Sequence, residues 1–114
     1  MGEFIKGDVV VMPFPFSDLS SSKRRPALVL ARASETDLIM AQITSQSFSD
    51  TCAVKIDSSC FENGGLSVPS NIRTNKLFTA EKGIILYKAG TLAPEKSKEA
   101  VNAVIKLLSQ GEPH

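Results

Sequence analysis

The sequence predicts a mainly β (α+β) protein, a small barrel or strongly bent sheet that is followed by one C-terminal α-helix. Short apolar runs rich in β-branched residues recur at close spacing, and glycine and proline punctuate them. A helical periodicity occurs only near the end of the chain. Because no helical pattern interrupts the strands, a parallel βαβ fold is disfavoured.

Length and composition predict a single domain over residues 1–114. The chain has 114 residues, of which 42% are hydrophobic and 22% charged. These values are typical of one folded domain and not of a disordered chain. A chain of this size buries roughly two-thirds of its unfolded surface, so its core needs no disulfide framework.

Six apolar segments predict short strands. Two of them are expected to form a hairpin, and Asn63-Gly64-Gly65 predicts a turn. Since proline donates no ladder hydrogen bond, Pro13 and Pro15 are expected to confine the first strand to an edge. We expect the segment that contains Phe14 and Phe16 to leave the sheet there and to enter a polar loop over 17–25. The predicted strands cover residues 9–12, 27–31, 38–44, 52–56, 72–73 and 84–87, with the second and third as the hairpin.

The C-terminal segment predicts a helix that begins near Pro94 and ends at Gly111. Proline is favoured in the first turn of a helix and glycine just past its end. Apolar residues recur there at i, i+3 and i+4 spacing, which predicts one buried stripe. The members of the stripe are Ala100, Val101, Val104, Ile105 and Leu108.

The net charge of +1 gives no bulk positive field of the kind that attracts nucleic acid. The charge is nevertheless uneven along the chain. Residues 1–34 carry a net +2, residues 35–62 a net −4 and residues 63–93 a net +3. If the two basic segments converge in the fold, they form a positive patch that the average conceals.

The two cysteines predict a reducing compartment. Cys52 and Cys60 form no Cys-x-x-Cys pair, and no internal histidine completes a metal site, so we expect reduced structural thiols and no metal or other cofactor. No apolar run approaches the ~20 residues that span a bilayer. These observations favour a cytoplasmic protein without a membrane partner.

Arginines and hydroxyls are the candidate functional groups. The only histidine, His114, is terminal, which excludes a histidine-dependent triad, and the glycine-rich nucleotide loops and zinc-hydrolase motifs are lacking. Three polar clusters instead follow apolar runs. The guanidinium group of arginine can donate two hydrogen bonds to one phosphate, and hydroxyl groups can donate further ones, so together these residue types favour phosphate binding. Each cluster alone is also typical of an ordinary solvated surface. The clusters are Lys23-Arg24-Arg25-Pro26, Thr44-Ser45-Gln46 and Arg73-Thr74-Asn75-Lys76.

In order and spacing, several short motifs resemble the PemK/MazF family of toxin endoribonucleases over nearly the whole chain. The motifs are Gly7-Asp8-Val9-Val10, Arg25-Pro26-Ala27-Leu28-Val29-Leu30, Ile43-Thr44-Ser45-Gln46 and Ser70-Asn71-Ile72-Arg73, followed by the final helix.

The resemblance implies a small SH3-like β-barrel of PemK/MazF/CcdB type with a C-terminal α-helix. It further implies a homodimeric toxin of a type II toxin-antitoxin system that cleaves single-stranded mRNA at a short sequence. A cognate MazE/PemI-like antitoxin would cover the site with its disordered tail.

The resemblance also assigns residues. Arg25 and Thr44 correspond to the catalytic pair of the family, and Arg73 corresponds to a second arginine that holds the scissile phosphate. The ribose 2′-hydroxyl would attack its own phosphate without a metal. Since arginine stays protonated at neutral pH, we expect Arg25 to stabilise charge and to protonate the leaving group. Candidate RNA-binding residues are Phe16, as a stacking platform, with Ser17, Asp18, Lys23, Arg24, Ser45, Gln46, Asn75 and Lys76.

This sequence departs from the family at two places, and at each of them it lacks a carboxylate that relatives carry. Residues 18–23 lack the Gly-Ser-Glu-Gln stretch that many members carry, and Asn75 stands where some have aspartate. If those carboxylates act as the base or orient arginine in relatives, this protein must use another group or be slow or inactive. Asp18 is the nearest substitute.

Two rival functions differ in class. The first is a CcdB-like toxin that poisons gyrase. Such proteins act through a C-terminal tryptophan, and this chain contains no tryptophan. The second is a catalytically inactive SH3-like module that binds RNA or an antitoxin, which would show salt-dependent RNA affinity without cleavage.

Overall fold

An antiparallel sheet and one C-terminal helix form the fold in a computed structural model that describes residues 4–15, 22–45 and 52–111. Within these ranges the sheet has seven strands, in the spatial order β4-β6-β3-β2-β1-β7-β5. The mainly β fold class with a C-terminal helix is therefore confirmed. The elements are β1 (Asp8–Pro15), β2 (Ser22–Arg32), β3 (Asp37–Thr44), β4 (Ala53–Ile56), β5 (Phe61–Gly64), β6 (Ser70–Glu81), β7 (Tyr87–Leu92) and α1 (Pro94–Gln110).

The predicted hairpin is formed by β2 and β3, which pair antiparallel. Strand β1 lies between β2 and β7, but its pairing with β7 extends only to Val11. Pro13 therefore lies where β1 has a single neighbour, as the edge prediction requires. Phe14 nevertheless stays in the sheet, opposite Lys23, and its ring meets Phe78 edge-on at 5.2 Å between centroids. The prediction that the chain leaves the sheet at Phe14 is wrong because β2 extends far enough to pair with it.

Two apolar clusters stabilise the sheet. The first includes Ala100 and Val104 of α1, so the helix covers this cluster, and the second has Met12 and Met40 at its centre. Strand alternation separates the clusters, because successive side chains point to opposite faces. Ile43, Ile72 and Val54 from three neighbouring strands illustrate this, since they pair in register and all belong to the first cluster.

Helix α1 faces the core with part of the predicted stripe, since Ala100 and Val104 belong to the first cluster and Val101 packs against it. Its buried residues are Ser97, Ala100 and Val104, whereas Ile105 is 57% exposed and Leu108 is 69% exposed. The small side chains at the first two positions let the helix approach the sheet closely, which rotates the larger residues outward. The predicted ends are accurate, since the helix begins at residue 94 and is followed by residue 111.

Three strands in the second half of the chain differ most from the predicted pattern. Strand β5 was not predicted, and β6 has 12 residues where the sequence predicted only two. Both carry many exposed polar side chains, which conceals the apolar periodicity. The segment predicted as a strand over 84–87 begins with the last residue of a 3₁₀ turn over Lys82–Ile84, and β7 begins only at Tyr87.

A buried carboxylate joins β1 to β7. Asp8 is fully buried, and it accepts hydrogen bonds from the backbone N–H of Ile5 and from Oγ1 of Thr91, each at 2.9 Å. Nζ of Lys88 lies 3.5 Å from its Oδ2. A buried charge is tolerated only when it is satisfied in this way.

Candidate functional site

Three consecutive cations lie in the first part of strand β2. The strand begins at Ser22, so Lys23, Arg24 and Arg25 belong to it and not to the loop that the sequence predicted over 17–25. That boundary was wrong because β1 supplies pairing partners for the additional residues, including Met12 opposite Arg25. Since side chains alternate along a strand, Lys23 and Arg25 share a face and Arg24 lies on the other.

Strand β3 brings Thr44 beside Arg25. Ala27 of β2 pairs with Gln42 of β3 at the end of this ladder, and Arg25 and Thr44 lie two residues beyond that pair, on its face of the sheet. Both residues line one cavity of about 410 Å³. Both are half-buried, and Nε of Arg25 is shielded from solvent.

The cavity lining combines cationic, hydroxyl and apolar side chains. No carboxylate occurs among the described residues that line it, while three full positive charges do. Such a lining favours an anionic ligand. The cationic and hydroxyl residues are Lys23, Arg24, Arg25, Thr44, Ser45, Ser67 and Ser70, and the apolar or aromatic residues are Val11, Pro26, Ile43, Leu66, Val68 and Tyr87.

Arg73 lies one strand beyond Thr44. It pairs with Gln42 of β3 on one side and with Ala53 of β4 on the other. Because Gln42 and Thr44 are two residues apart in β3, Arg73 shares the face of Thr44 and Arg25. It is half-buried, its Nε is shielded from solvent, and it does not line the cavity. The fold thus places Arg73 on the same face as the predicted catalytic pair but outside their cavity.

Asn75 and Lys76 lie in an irregularity of strand β6. The register shifts between Ala41, which pairs with Leu77, and the next residue of β3, so residues 74–76 bulge from the ladder. Asn75 and Lys76 are exposed and do not line the cavity, and their predicted contact with RNA stays a prediction. The buried Thr74 anchors the bulge through a hydrogen bond from its Oγ1 to the carbonyl of Cys52.

Four predicted site residues lie outside the described residues. They are Phe16, Ser17, Asp18 and Gln46.

A second cavity, of about 320 Å³, continues the first. The two cavities share Ser45 and Ser70, and the second adds Lys55 and Asn71. Asp57 also lines it. The side-chain and backbone hydrogen bonds from Ser59, the former at 2.6 Å and the latter at 2.9 Å, lower the pKa of Asp57. The second cavity therefore adds a lysine and a carboxylate that is ionised at neutral pH to the polar lining.

Sequence reasoning missed Lys55, Ser67 and Tyr87 as cavity residues. Lys55 is exposed between two buried neighbours of β4, and this alternation is visible in the sequence but predicts only a strand. Ser67 carried no sequence signal, since it lies in the segment that follows the predicted turn. Tyr87 is the only tyrosine of the chain, but no sequence motif near it indicates that it lies close to Lys23-Arg24-Arg25, about 60 residues earlier in the chain.

Other site types have less support. Among residues 4–15, 22–45 and 52–111, no three His, Cys, Asp or Glu side chains lie close enough to hold a metal ion. In the same part of the chain, no helix is both long and apolar enough to cross a membrane. A further cavity of about 460 Å³ between β4 and α1 is lined by Thr74 but by no other residue of the three polar clusters.

The sequence profile that describes the PemK-like, MazF-like toxins of type II toxin-antitoxin systems matches residues 5–108. The chain belongs to the PemK/MazF toxin family. This match confirms the resemblance on which the sequence interpretation rests. No curated protein sequence matches the chain significantly.

Solved structures share the fold at low sequence identity. A MazE–MazF complex from Deinococcus radiodurans has a TM-score of 0.72 at 16% identity and covers 90% of this chain and 94% of the solved chain. The Mycobacterium tuberculosis toxin MazF-mt6 has a TM-score of 0.66 at 19% identity, with coverages of 88% and 96%. A mycobacterial endoribonuclease in complex with its cognate antitoxin has a TM-score of 0.70 at 15% identity, with coverages of 97% and 100%. The likeness extends over nearly the whole length of each chain.

Proposed function

We propose that this chain is a metal-independent endoribonuclease that cleaves single-stranded RNA at a short sequence and acts as the toxin of a type II toxin-antitoxin pair. The observation that carries the proposal is the cavity in which Arg25 and Thr44 lie beside Lys23 and Arg24. Family membership supports the same class of activity.

The proposed reaction is an in-line displacement at phosphorus. The ribose 2′-oxygen forms a bond to the adjacent phosphorus, and the bond from phosphorus to the 5′-oxygen of the next nucleotide breaks. The 2′-hydroxyl loses its proton and the leaving 5′-oxygen gains one. The products are a 2′,3′-cyclic phosphate and a 5′-hydroxyl end.

Arg25 and Thr44 stabilise the charge that develops on the phosphate. Arg25 presents a guanidinium fork to two phosphate oxygens and supplies the proton to the leaving group, while the hydroxyl of Thr44 donates to a non-bridging oxygen. A preorganised charged donor such as Arg25 contributes about 3–4 kcal/mol to transition-state stabilisation, and the neutral hydroxyl of Thr44 contributes about 1.5–3 kcal/mol. Asp18, which lies outside the described residues, is the proposed base.

Other residues hold the rest of the substrate. Lys23 and Arg24 bind flanking phosphates at the cavity. Arg73, in strand β6, approaches the scissile phosphate from the side of β3 that lies away from β2. The second cavity extends the polar track toward Lys55. We assign the remaining predicted RNA contacts to the same strand of RNA, and these are Phe16, Ser17, Ser45, Gln46, Asn75 and Lys76.

The proposed partners follow from the solved relatives. One mycobacterial endoribonuclease is in complex with its cognate antitoxin, and a Deinococcus radiodurans structure contains MazE and MazF together. We propose that a MazE/PemI-like antitoxin covers the cationic cavity of this chain with its tail and that the toxin is a homodimer. RNA as the substrate agrees with the cytoplasmic location predicted from the cysteines.

The test is incubation of the purified protein with a long unstructured RNA in the presence of EDTA, with every cut end mapped. Arg25→Ala and Thr44→Ala variants are incubated in parallel. We expect cuts at one short sequence that are lost in both variants. If folded wild-type protein binds RNA in a salt-dependent manner but does not cut it, the inactive binding module is supported. If it neither binds nor cuts RNA but inhibits gyrase, the gyrase poison is supported.

A further inference from the structure

Tyr87 is the aromatic side chain among the described residues that line the cationic cavity of Arg25 and Thr44. It begins strand β7, where it pairs with Val11 of β1, and Val11 in turn pairs with Pro26 of β2. Neighbouring strands lie roughly 5 Å apart, so the backbone of Tyr87 is roughly 10 Å from that of Pro26, next to Arg25. This separation is comparable with the reach of one nucleotide from its phosphate to the far edge of its base.

The exposure of Tyr87 is unusual for an aromatic residue in a sheet. Its side chain is 53% exposed, and it is accompanied by Leu86 at 47% and Val68 at 49%. Val68 and the half-buried Leu66 line the same cavity as Tyr87. A group of exposed large apolar side chains beside a cationic cavity is typical of a ligand surface, because it serves no core.

Single-stranded RNA combines the two chemistries that meet in this cavity. Its phosphates bind cations, and its unstacked bases bind aromatic faces. Phe14, the aromatic residue nearest to the cations in the sequence among those described, packs against Phe78 in the second apolar cluster. Within the described part of the chain, Tyr87 is therefore the aromatic ring that a base at this cavity can reach.

We propose that Tyr87 forms a base-stacking subsite for a nucleotide adjacent to the scissile phosphate, with Leu66 and Val68 as its apolar surroundings. This subsite rests on the proposed ribonuclease function and deepens it. The ring of Tyr87 receives the face of the base and thereby fixes the phosphate in the cavity that Tyr87 lines together with Arg24 and Arg25. Tyr87 is a positioning residue, since it does not touch the reacting atoms.

The chain itself supplies the probe. Tyr87 is the only tyrosine and there is no tryptophan, so the intrinsic fluorescence reports on one side chain. The experiment titrates the wild-type protein with a fully 2′-O-methylated oligonucleotide that contains the cleavage sequence and cannot be cut. We expect fluorescence quenching that saturates at the concentration at which a labelled copy of the oligonucleotide is bound.

Variants separate stacking from a structural role. Tyr87→Ala should weaken oligonucleotide binding about 5- to 150-fold, which corresponds to the usual range for one stacked base. With a cleavable RNA it should raise KM more than it lowers kcat and should leave the melting temperature unchanged. Tyr87→Phe, which keeps the ring, should restore the affinity to within about threefold of the wild type. Ile105→Ala, at an exposed apolar residue of α1, is the matched control and should bind as the wild type does.

Two outcomes would show that the stacking subsite is wrong while the proposed ribonuclease function is retained. In the first, the wild-type protein cleaves and binds RNA, but its tyrosine fluorescence is not quenched. In the second, Tyr87→Ala binds the oligonucleotide as tightly as the wild type does. If the wild-type protein neither cleaves nor binds RNA, the proposed function itself is wrong, and the subsite is wrong with it.

Discussion

Arg25 and Thr44 line one cavity at the end of the β2–β3 hairpin, although 18 residues separate the two in the sequence. The relationship follows from the hairpin, because Ala27 pairs with Gln42 two residues from each of them. Both side chains line one cavity with two further cations. The hairpin therefore places a cation and a hydroxyl donor at the same cavity.

Removal of Arg25 should abolish most of the activity. Arg25→Ala removes a charged donor from the cavity, and we expect kcat to fall about 100- to 1000-fold. Single-turnover cleavage of a short RNA measures this. Arg32→Ala, at an exposed arginine at the other end of the same strand, is the matched control and should cleave normally. A variant at Arg25 that keeps the wild-type rate would place the catalytic site elsewhere.

Replacement of Thr44 should have a smaller effect. Thr44→Val keeps the shape of the side chain and loses the hydroxyl, so kcat should fall about 10- to 100-fold, as for one hydrogen bond to a charged group. Thr44→Ser keeps the hydroxyl and should recover most of the rate. Equal rates for the valine and serine variants would show that the hydroxyl makes no contact in the transition state.

Much of the fold could be predicted from sequence because the hairpin and the helix ends have strong local signals. Val29 and Met40 lie in regular apolar runs, and Pro94 and Gly111 mark the limits of α1. The length of β6 could not be predicted, since its partners β3 and β4 stabilise polar residues that carry no strand signal of their own. The buried stripe of α1 also depends on the sheet beneath it, which is why Ile105 was misplaced.

The site was predictable in part. Arg25, Thr44 and Arg73 carry family motifs, and the fold brings all three to one face. Tyr87 and Lys55 reach the two cavities only through pairing between strands that are distant in sequence. The sequence of a single segment does not indicate contacts between distant strands, so the positions of Tyr87 and Lys55 at the cavities could be recognised only in the structure.

The approach of β5 to β7 should make Gly90 irreplaceable. A Cβ at Gly90 would lie 2.6 Å from the carbonyl oxygen of Asn63 and 2.7 Å from the backbone nitrogen of Gly65. Gly90→Ala should therefore lower the free energy of unfolding by about 1–3 kcal/mol, as for an overpacked core. Gly83→Ala is the control, because a Cβ there meets nothing within 4 Å. Urea denaturation measures both, and equal midpoints would contradict the close approach.

The buried carboxylate of Asp8 should contribute to stability. Asp8→Ala leaves the N–H of Ile5 and the hydroxyl of Thr91 without their acceptor, so we expect a loss of about 1–3 kcal/mol in the free energy of unfolding. Asp8→Asn keeps one acceptor oxygen and should lose less. Thermal or urea denaturation distinguishes the two, and an alanine variant as stable as the wild type would show that these hydrogen bonds contribute nothing net.

The carboxylate of Asp57 should make stability depend on pH. Hydrogen bonds from Ser59 hold the pKa of Asp57 below its ordinary value of 3.8, so its contribution is present above that value and is lost as the pH falls through the folded pKa. Asp57→Ala should therefore be less stable than wild type near neutral pH, and the gap should narrow below about pH 4. Urea midpoints measured against pH test this. A gap that stays constant with pH would contradict it.

The central claim is that the ribose 2′-hydroxyl attacks its own phosphate in the cavity of Arg25 and Thr44. The most direct measurement compares two oligonucleotides in EDTA, one all-ribose and one with a single 2′-deoxyribose immediately 5′ to the scissile phosphate. We predict that the first gives a 2′,3′-cyclic phosphate and a 5′-hydroxyl end, and that the second binds with similar affinity and stays intact. Cleavage of the deoxy-substituted oligonucleotide at the same bond, or products with a 5′-phosphate, would contradict the claim.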